Sequence, residues 1–370
     1  MKKLLYISPL PRESQTGGAN AVNYHIYKQL QRHFGCTYLF INPPPSTLVN
    51  WVSKFRRRVL HLPGKYSFYS PERLEKIEKE FRKHSGHFDL LFFRGFTPWI
   101  GIHPPIPWFA YNDTNFRTYF ENTFNYRDFE QKEIDRIYAA EEKWLSEAKA
   151  VFFESEWGKQ QCLTHCKILS SNFFGIGRGG DIPIPEQDTW NGSKKLLFMA
   201  KNFFQKGGDL AFEAFRVLNN HDNAIEFHVV GGPPDKKTIN HTGVVYHGFL
   251  TKENPEERDA LVKLLSEAMV LLHPTREDIN PLVITEAGYF GCPTVSVDKF
   301  AIPELVIHQA TGLLLPYLPS PEQIGDAVWS IIKDRHLYLE MRKATREFNL
   351  EHFSWDKIGA RTADLILQHL

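Results

Sequence analysis

Short, strongly apolar runs bounded by Gly, Pro and polar clusters recur along this chain and alternate with stretches of helical periodicity. The runs lie at Leu4 to Ser8, Thr37 to Ile41, Asp89 to Phe93, Ile106 to Tyr111 and Ala150 to Glu154, then at Lys195 to Ala200, Ile225 to Val230, Val244 to Phe249 and Met269 to His273. Strands separated by helices pair in parallel through crossovers that cover both sheet faces, so an α/β fold with parallel sheets is expected. In such sheets ligands gather outside the carboxyl ends of the strands, where Arg94, His103, Asn112 and Asp113 fall. At 370 residues the chain has room for two domains, each with its own core.

The boundary is placed by glycine and proline. Gly175, Gly177 and Gly180 spell G-x-G-x-x-G, but Pro183 and Pro185 follow where a dinucleotide-binding helix would have to begin. The segment therefore reads as an interdomain loop running into a proline-rich linker, with domains at 1–180 and 181–353.

Candidate chemistry concentrates in Leu271 to Val297, LLHPTREDINPLVITEAGYFGCPTVSV. A buried strand runs into the polar loop Pro274 to Asn280. A helix is expected to start on Pro281, with Asn280 as N-cap and Gly291 as its stop. The N–H groups of Leu282 and Val283 would then face outward where the helix dipole favours an anion. Asp278 sits in the loop and Glu286 inside the helix. After the strand at 195–200, KNFFQKGGD sets Lys201 and Lys206 about a short loop beside Gly207 and Gly208. Two cations at a strand's carboxyl end suit a pyrophosphate, and the competing reading is two solvated lysines. Gly17 and Gly18, between the first strand and first helix, let the backbone approach a ligand, or simply form a turn.

These motifs resemble those of family 4 retaining glycosyltransferases. D-I-N-P-L-V-I-T-E-A is similar to the family's E-x7-E signature, with Asp278 at the first acidic position, where most relatives carry Glu, and Glu286 at the second. A register through Glu277 spoils the spacing. Lys201 and Lys206 match the R/K-x4-K-G-G element, while Ile302-Pro303-Glu304 and Gly312-Leu313-Leu314 match later ones, with Phe300-Ala301 where two glycines are usual. Ser155-Glu156-Trp157 and Phe353-Ser354-Trp355-Asp356 fall at familiar positions too.

The resemblance implies the GT-B fold, two Rossmann-like domains facing across a cleft, with the helix 354–370 returning to the N-terminal domain. It implies sugar transfer from a UDP- or GDP-sugar to an acceptor hydroxyl, in glycan, polysaccharide or glycolipid assembly. Lys201, Lys206, Leu282 and Val283 would take the diphosphate, Glu286 the ribose, and Asp278 with Asn280 the sugar. Gly17 and Gly18 would face the diphosphate and acceptor. Asp113 is a candidate for acceptor contact, as is His103; a turn role for Asp113 stands beside it. No cofactor or metal is expected, since no Asp-x-Asp pattern stands beside the site. Alternatives are a sugar-nucleotide epimerase and a catalytically silent nucleotide-sugar-binding subunit.

With 44 basic and 43 acidic residues, nothing in the charge balance argues for a nucleic-acid partner. Four scattered cysteines provide no disulfide framework, and Cys162, His165 and Cys166 read as packing of one helix rather than a zinc site. Met1 to Leu10 is too short for a signal sequence, and no window reaches the length of a membrane span. A cytoplasmic setting is expected, peripheral on the inner membrane face. From Trp51 to Lys65, apolar residues interleave with Lys54, Arg56, Arg57, Arg58 and Lys65, as in a surface for anionic lipid or a phosphorylated acceptor, or in a solvated helix face.

Overall fold

The computed structural model describes residues 1–13, 17–84, 86–166, 168 and 171–370. Part of the expected loop between Pro9 and Gly18 lies outside them. The chain divides into two compact units: one of Met1–Ser14, Ala19–Gly177 and Ile358–Leu370, the other essentially Arg178–Lys357.

The first unit holds six parallel strands, β1 (Lys3–Ser8), β2 (Gly35–Phe40), β3 (Leu90–Arg94), β4 (Trp108–Asn112), β5 (Ala150–Phe153) and β6 (Phe173–Gly175). Their order is β2-β1-β3-β4-β5-β6. Leu5, Ile7, Leu91, Phe93, Ala110 and Val151 point into one apolar layer. Their alternates Leu4, Tyr6, Phe92, Phe109 and Phe152 are buried as well. Burial of both parities is why these strands read as continuous apolar runs instead of alternating ones. The final helix, Trp355–Gln368, gives this unit its residues from Ile358 on, and Gly359 lies so close to Gln29 that a Cβ would meet its side chain.

The second unit repeats the plan with β7 (Lys195–Ala200), β8 (Glu226–Gly231), β9 (Val244–Tyr246), β10 (Ala268–His273), β11 (Thr294–Val297) and β12 (Gly312–Leu315), in the order β12-β11-β10-β7-β8-β9. Leu196, Phe198, Phe227, Val229, Val270 and Leu272 build one layer, Leu197, Met199, Val230, Leu271 and Val297 the other. Each such side chain, fully buried, contributes about 1.5–3 kcal/mol of hydrophobic stabilisation. The strand order reverses at β7 and β10, and the crevice outside the carboxyl ends at such a reversal is where ligands of doubly wound sheets bind.

Two expectations about helices need correction. The helix after β10 spans Leu282–Tyr289 and its N-cap is Pro281, not Asn280, because Pro281 has ψ 117°, extended backbone outside the helix. The stretch from Arg127 to Ala148, whose Ile134, Ile137, Tyr138, Leu145 and Ala148 at helical spacing read as one helix, is a single 3-10 turn, Tyr126–Asp128, followed by a helix Gln131–Glu147. Gly64 N–H donates to the Asp128 carbonyl at 3.0 Å and accepts through its own carbonyl from Glu130 N–H at 2.9 Å, which holds Phe129 extended between them.

Candidate functional site

The loops after β7 and β10 are tied together by their backbones. Arg276 N–H donates to the Gln205 carbonyl at 3.0 Å. Gly207 has φ +79°, and a Cβ there would run into the Pro274 carbonyl, so only glycine lets the β7 loop close on β10. The Arg276 guanidinium reaches across to the carboxylate of Asp209 at 2.7 and 2.9 Å, a bidentate clamp on the start of the helix Gly208–His221. Tyr317 Oη donates to the Arg276 carbonyl at 3.0 Å.

Within this frame the two lysines differ. Lys201 follows β7 directly and is exposed, with no ionic or hydrogen-bonding partner for its ammonium among the described residues. Lys206 is half-buried; its Nζ donates to the Glu277 carbonyl at 2.8 Å and lies 3.0 Å from Asp278 Oδ2. His273 Nε2 lies 3.3 Å from the same oxygen, off the geometry of a hydrogen bond, and the ring is 1% exposed. Burial pushes the Asp278 carboxyl up, but His273 and Lys206 outweigh it and hold the pKa down to about 2. Glu277 is exposed, and among the described residues its side chain accepts from Gln205 Nε2 alone, at 3.1 Å. Of the two neighbouring acids, Asp278 is the one turned into the cluster.

The helix after Pro281 has no side-chain cap, and among the described residues nothing accepts from the N–H groups of Leu282 and Val283. Those donors are available to an anion, with the helix dipole behind them. Glu286, one and a half turns in, is 1% exposed. Its Oε1 accepts from Asp181 N–H at 2.9 Å and from Lys252 Nζ. Gly180 packs against its stem: a Cβ there would lie 2.8 Å from Glu286 Cγ. The last glycine of the false dinucleotide fingerprint thus serves close approach in a loop.

Lys252 and His273 had not been singled out in the sequence. Lys252 is one of several charges in TKENPEE, and its only signal is a position just ahead of the Asn254-Pro255 helix start. His273 had a clearer one, as the polar last residue of the apolar strand AMVLLH.

Gly17, at φ +88°, follows β1, and Gly18 opens the helix Gly18–Leu30. Asp113 follows β4 in the first unit, where its Oδ1 accepts from Thr114 N–H at 2.7 Å in a turn. His103 meets Glu147 on the surface at 2.6 Å. Asn280 is half-buried beside Asp278 in the loop. Phe300, where relatives have glycine, takes φ +58°, a left-handed conformation that is strained for a bulky residue. Cys162 and Cys166 bring their sulfurs to 3.8 Å while His165 turns to Glu121 at 3.5 Å, and among the described residues no His, Cys, Asp or Glu trio is arranged to hold a metal.

Comparison with known proteins bears on the segment that holds these residues. Residues 183–348 match the family glycosyl transferases group 1. That segment carries β7 to β12 and every lysine and acid of the cluster except Asp181. The chain is also similar to a GDP-mannose-dependent alpha-(1-6)-phosphatidylinositol monomannoside mannosyltransferase of Mycobacterium tuberculosis, 27% identical over 176 residues, which are 44% of this chain and 44% of that protein. The match spans less than half the length of this curated relative. Among solved structures, sucrose-phosphate synthase from Thermosynechococcus elongatus superposes with a TM-score of 0.68 at 15% identity, covering 100% of this chain and 99% of that one. HepE from Anabaena in complex with UDP gives 0.68 at 14% identity, covering 100% of both. The architecture of two Rossmann-like parallel-sheet units is that of the GT-B glycosyltransferases.

Proposed function

We propose that this chain transfers a sugar from a nucleotide diphosphate sugar to an acceptor hydroxyl, in assembly of a glycan, polysaccharide or glycolipid, with retention of anomeric configuration. The reading is carried by the convergence of Lys201, Lys206, Asp278 and the open helix start at Leu282 and Val283 on the carboxyl ends of β7 and β10, inside the segment that matches a glycosyltransferase family. Loss of a diphosphate from an oxocarbenium-like centre needs fixed positive charge where negative charge develops. Lys201 is available for that charge directly. Lys206 would reach it by sharing or exchanging Asp278, whose second oxygen would receive a sugar hydroxyl. Glu286 would accept from the ribose. The departing phosphate oxygen would take the acceptor proton on the same face.

Two features extend the reading. The lysines and the two N–H groups supply the cationic environment that a divalent ion supplies in other transferases, so transfer proceeds without metal. The helix Thr47–Arg58 exposes Leu48, Trp51, Val52 and Phe55, with Trp51 stacked on Phe55 at 5.7 Å, and suits an anionic membrane surface carrying a lipid-linked acceptor. The relative from M. tuberculosis, named for a phosphatidylinositol monomannoside substrate, agrees with that choice.

The test is a thermal-shift screen of UDP- and GDP-sugars on the purified chain, since a ligand at about 100 times its Kd stabilises by about 2.7 kcal/mol. Assay of nucleoside diphosphate release with and without acceptor follows, in the presence of chelator. Binding of no nucleotide sugar refutes the reading. Activity abolished by chelator and restored by manganese refutes its metal-free part. Release of an isomerised nucleotide sugar without any acceptor would instead identify an epimerase.

A further inference from the structure

Lys252 stands between two carboxylates of the second unit. Its ammonium donates to Glu286 Oε1 and lies 3.6 Å from Asp181 Oδ2. The Asp181 N–H donates to that same Oε1 at 2.9 Å. Both lone pairs of Oε1 are therefore engaged, while among the described residues no group donates to Oε2. The side chain has little room to leave these donors, because a Cβ at Gly180 would lie 2.8 Å from its Cγ and the Tyr289 hydroxyl is fixed, accepting from Gly180 N–H at 2.8 Å and donating to the Phe353 carbonyl at 2.6 Å.

A carboxylate as buried as Glu286 is costly without a partner of opposite charge. Among the described residues, Lys252, Asp181 and Tyr289 are the titratable groups that interact with it, and Lys252 brings the positive charge. Burial works against the Lys252 ammonium, yet Glu286 and Asp181 together raise its pKa, so the cation persists. Ion pair and backbone donor fix which oxygen the site offers.

We propose that Lys252 is a positioning residue that restricts Glu286 to reading one hydroxyl of a vicinal diol. Resting on the proposed function, this makes the nucleotide's ribose the diol, gripped through Oε2 at one hydroxyl alone, in contrast to a free carboxylate that takes both hydroxyls with its two oxygens.

Titration calorimetry with uridine and guanosine diphosphates and their 2′-deoxy and 3′-deoxy forms tests it. In the wild type, removing one hydroxyl should weaken binding about tenfold or more and removing the other less than about threefold. Lys252→Met removes one of the two donors on Oε1, so that this oxygen can accept from a hydroxyl as well, and leaves the Glu286 charge uncompensated. The two deoxy forms should then lose affinity alike. Lys252→Arg should keep the asymmetry. A lysine that serves folding alone would lower affinity for all forms equally and leave the difference between the two deoxy forms unchanged. Equal losses for the two deoxy forms in the wild type overturn the proposal, and that measurement needs no variant. Failure of every nucleoside diphosphate to bind the wild type would overturn the proposed function as well, an outcome distinct from symmetric binding.

Discussion

The Nζ of Lys206 lies 3.0 Å from Oδ2 of Asp278, so a cation and an acid assigned separate duties by the sequence motifs form one ion pair. Lys252 and Glu286 repeat the arrangement. In each pair the acid commits one oxygen to a lysine, and the protein holds the charge ready without leaving it bare. Lys201 is the exception.

Lys201 and Lys206 should therefore respond differently to removal. Lys201→Ala takes away an exposed, unpaired ammonium, so stability should stay within about 0.5 kcal/mol while kcat/KM falls by the equivalent of about 2.7–4 kcal/mol, as when one charge-stabilising donor is lost. Lys206→Ala also strips Asp278 of its partner and should lower unfolding stability by roughly 1–3 kcal/mol. Denaturant titration alongside steady-state kinetics separates the two. Equal stability of both variants would show that the ion pair contributes nothing to folding.

The depressed pKa of Asp278 sets a pH window for that pair. Its folded value of about 2 lies below the ordinary 3.8, so the folded state binds fewer protons than the unfolded state there. The stabilisation is complete above about pH 4 and is lost as pH falls through about 2. The stability difference between wild type and Asp278→Asn should thus be constant from pH 7 to 5 and shrink toward acid pH, followed by urea unfolding at each pH. A gap that widens on acidification would contradict the assignment.

Glu141 runs the opposite way. Buried at 2% exposure, it accepts from Thr97 Oγ1 and from Phe116 N–H, both at 2.6 Å. Burial raises its pKa to about 7, against the lowering effect of those two hydrogen bonds. The folded state binds this proton more tightly than the unfolded, so stability is greatest below about pH 4.5 and declines as pH rises to about 7. Glu141→Gln imitates the protonated form, with the amide donating to Thr97 and its oxygen accepting from Phe116 N–H. It should match wild type near pH 5 and exceed it at pH 8 by on the order of 2–3 kcal/mol.

The strands were legible because both of their faces are buried, and Ala150–Phe153 or Ala268–His273 can be read as apolar blocks without knowing their neighbours. Short β6 (Phe173–Gly175), β11 (Thr294–Val297) and β12 (Gly312–Leu315) were not, since three or four residues carry little periodicity and their identity comes from pairing, β6 with Val151 to Phe153 and β11 with both β10 and β12. The motifs located Lys201, Lys206, Asp278 and Glu286, but ion pairing is a property of side-chain reach. No spacing rule links Lys252 to Glu286, or orients Asp278 toward Lys206 while Glu277 turns to solvent. The helix start was misplaced by one residue because proline's φ suits both N-cap and first turn, and only ψ decides.

The basic helix shows the same limit. Arg56 donates to the Pro63 carbonyl at 3.0 Å and lies 3.6 Å from Glu130, and Arg57 covers the Phe129 ring at 4.6 Å. Of the helix's own charges, those left to a membrane are therefore Lys54 and Arg58, both exposed, while Lys65 is exposed beyond the helix. Lys54→Gln with Arg58→Gln should weaken binding to anionic vesicles by about 2 kcal/mol at low salt, near 1 kcal/mol per charge, and the effect should fade as salt rises. Trp51→Ala should weaken binding at every salt concentration. Co-sedimentation that is identical for all three proteins would leave a solvated helix face.

Asp278 and Glu286 should separate by ligand as well as by position. Glu286 has one oxygen committed and would give the other to the ribose, so Glu286→Gln should weaken nucleoside diphosphate and nucleotide sugar to the same degree. Asp278→Asn acts twice: it removes an acceptor for the sugar, and it releases Lys206 from its ion pair. The second effect favours diphosphate, so affinity for the free nucleoside diphosphate should hold steady or rise while turnover falls by the equivalent of about 1.5–3 kcal/mol, the loss of a charge-assisted hydrogen bond. Calorimetry with nucleoside diphosphate and kinetics with the nucleotide sugar distinguish the cases. Weaker diphosphate binding in Asp278→Asn would mean that Lys206 serves the ligand only while it is paired, and the division of labour between the two acids would be wrong. Full activity in Asp278→Asn with none in Glu277→Gln would instead move the acidic position by one residue, against the orientation of both side chains.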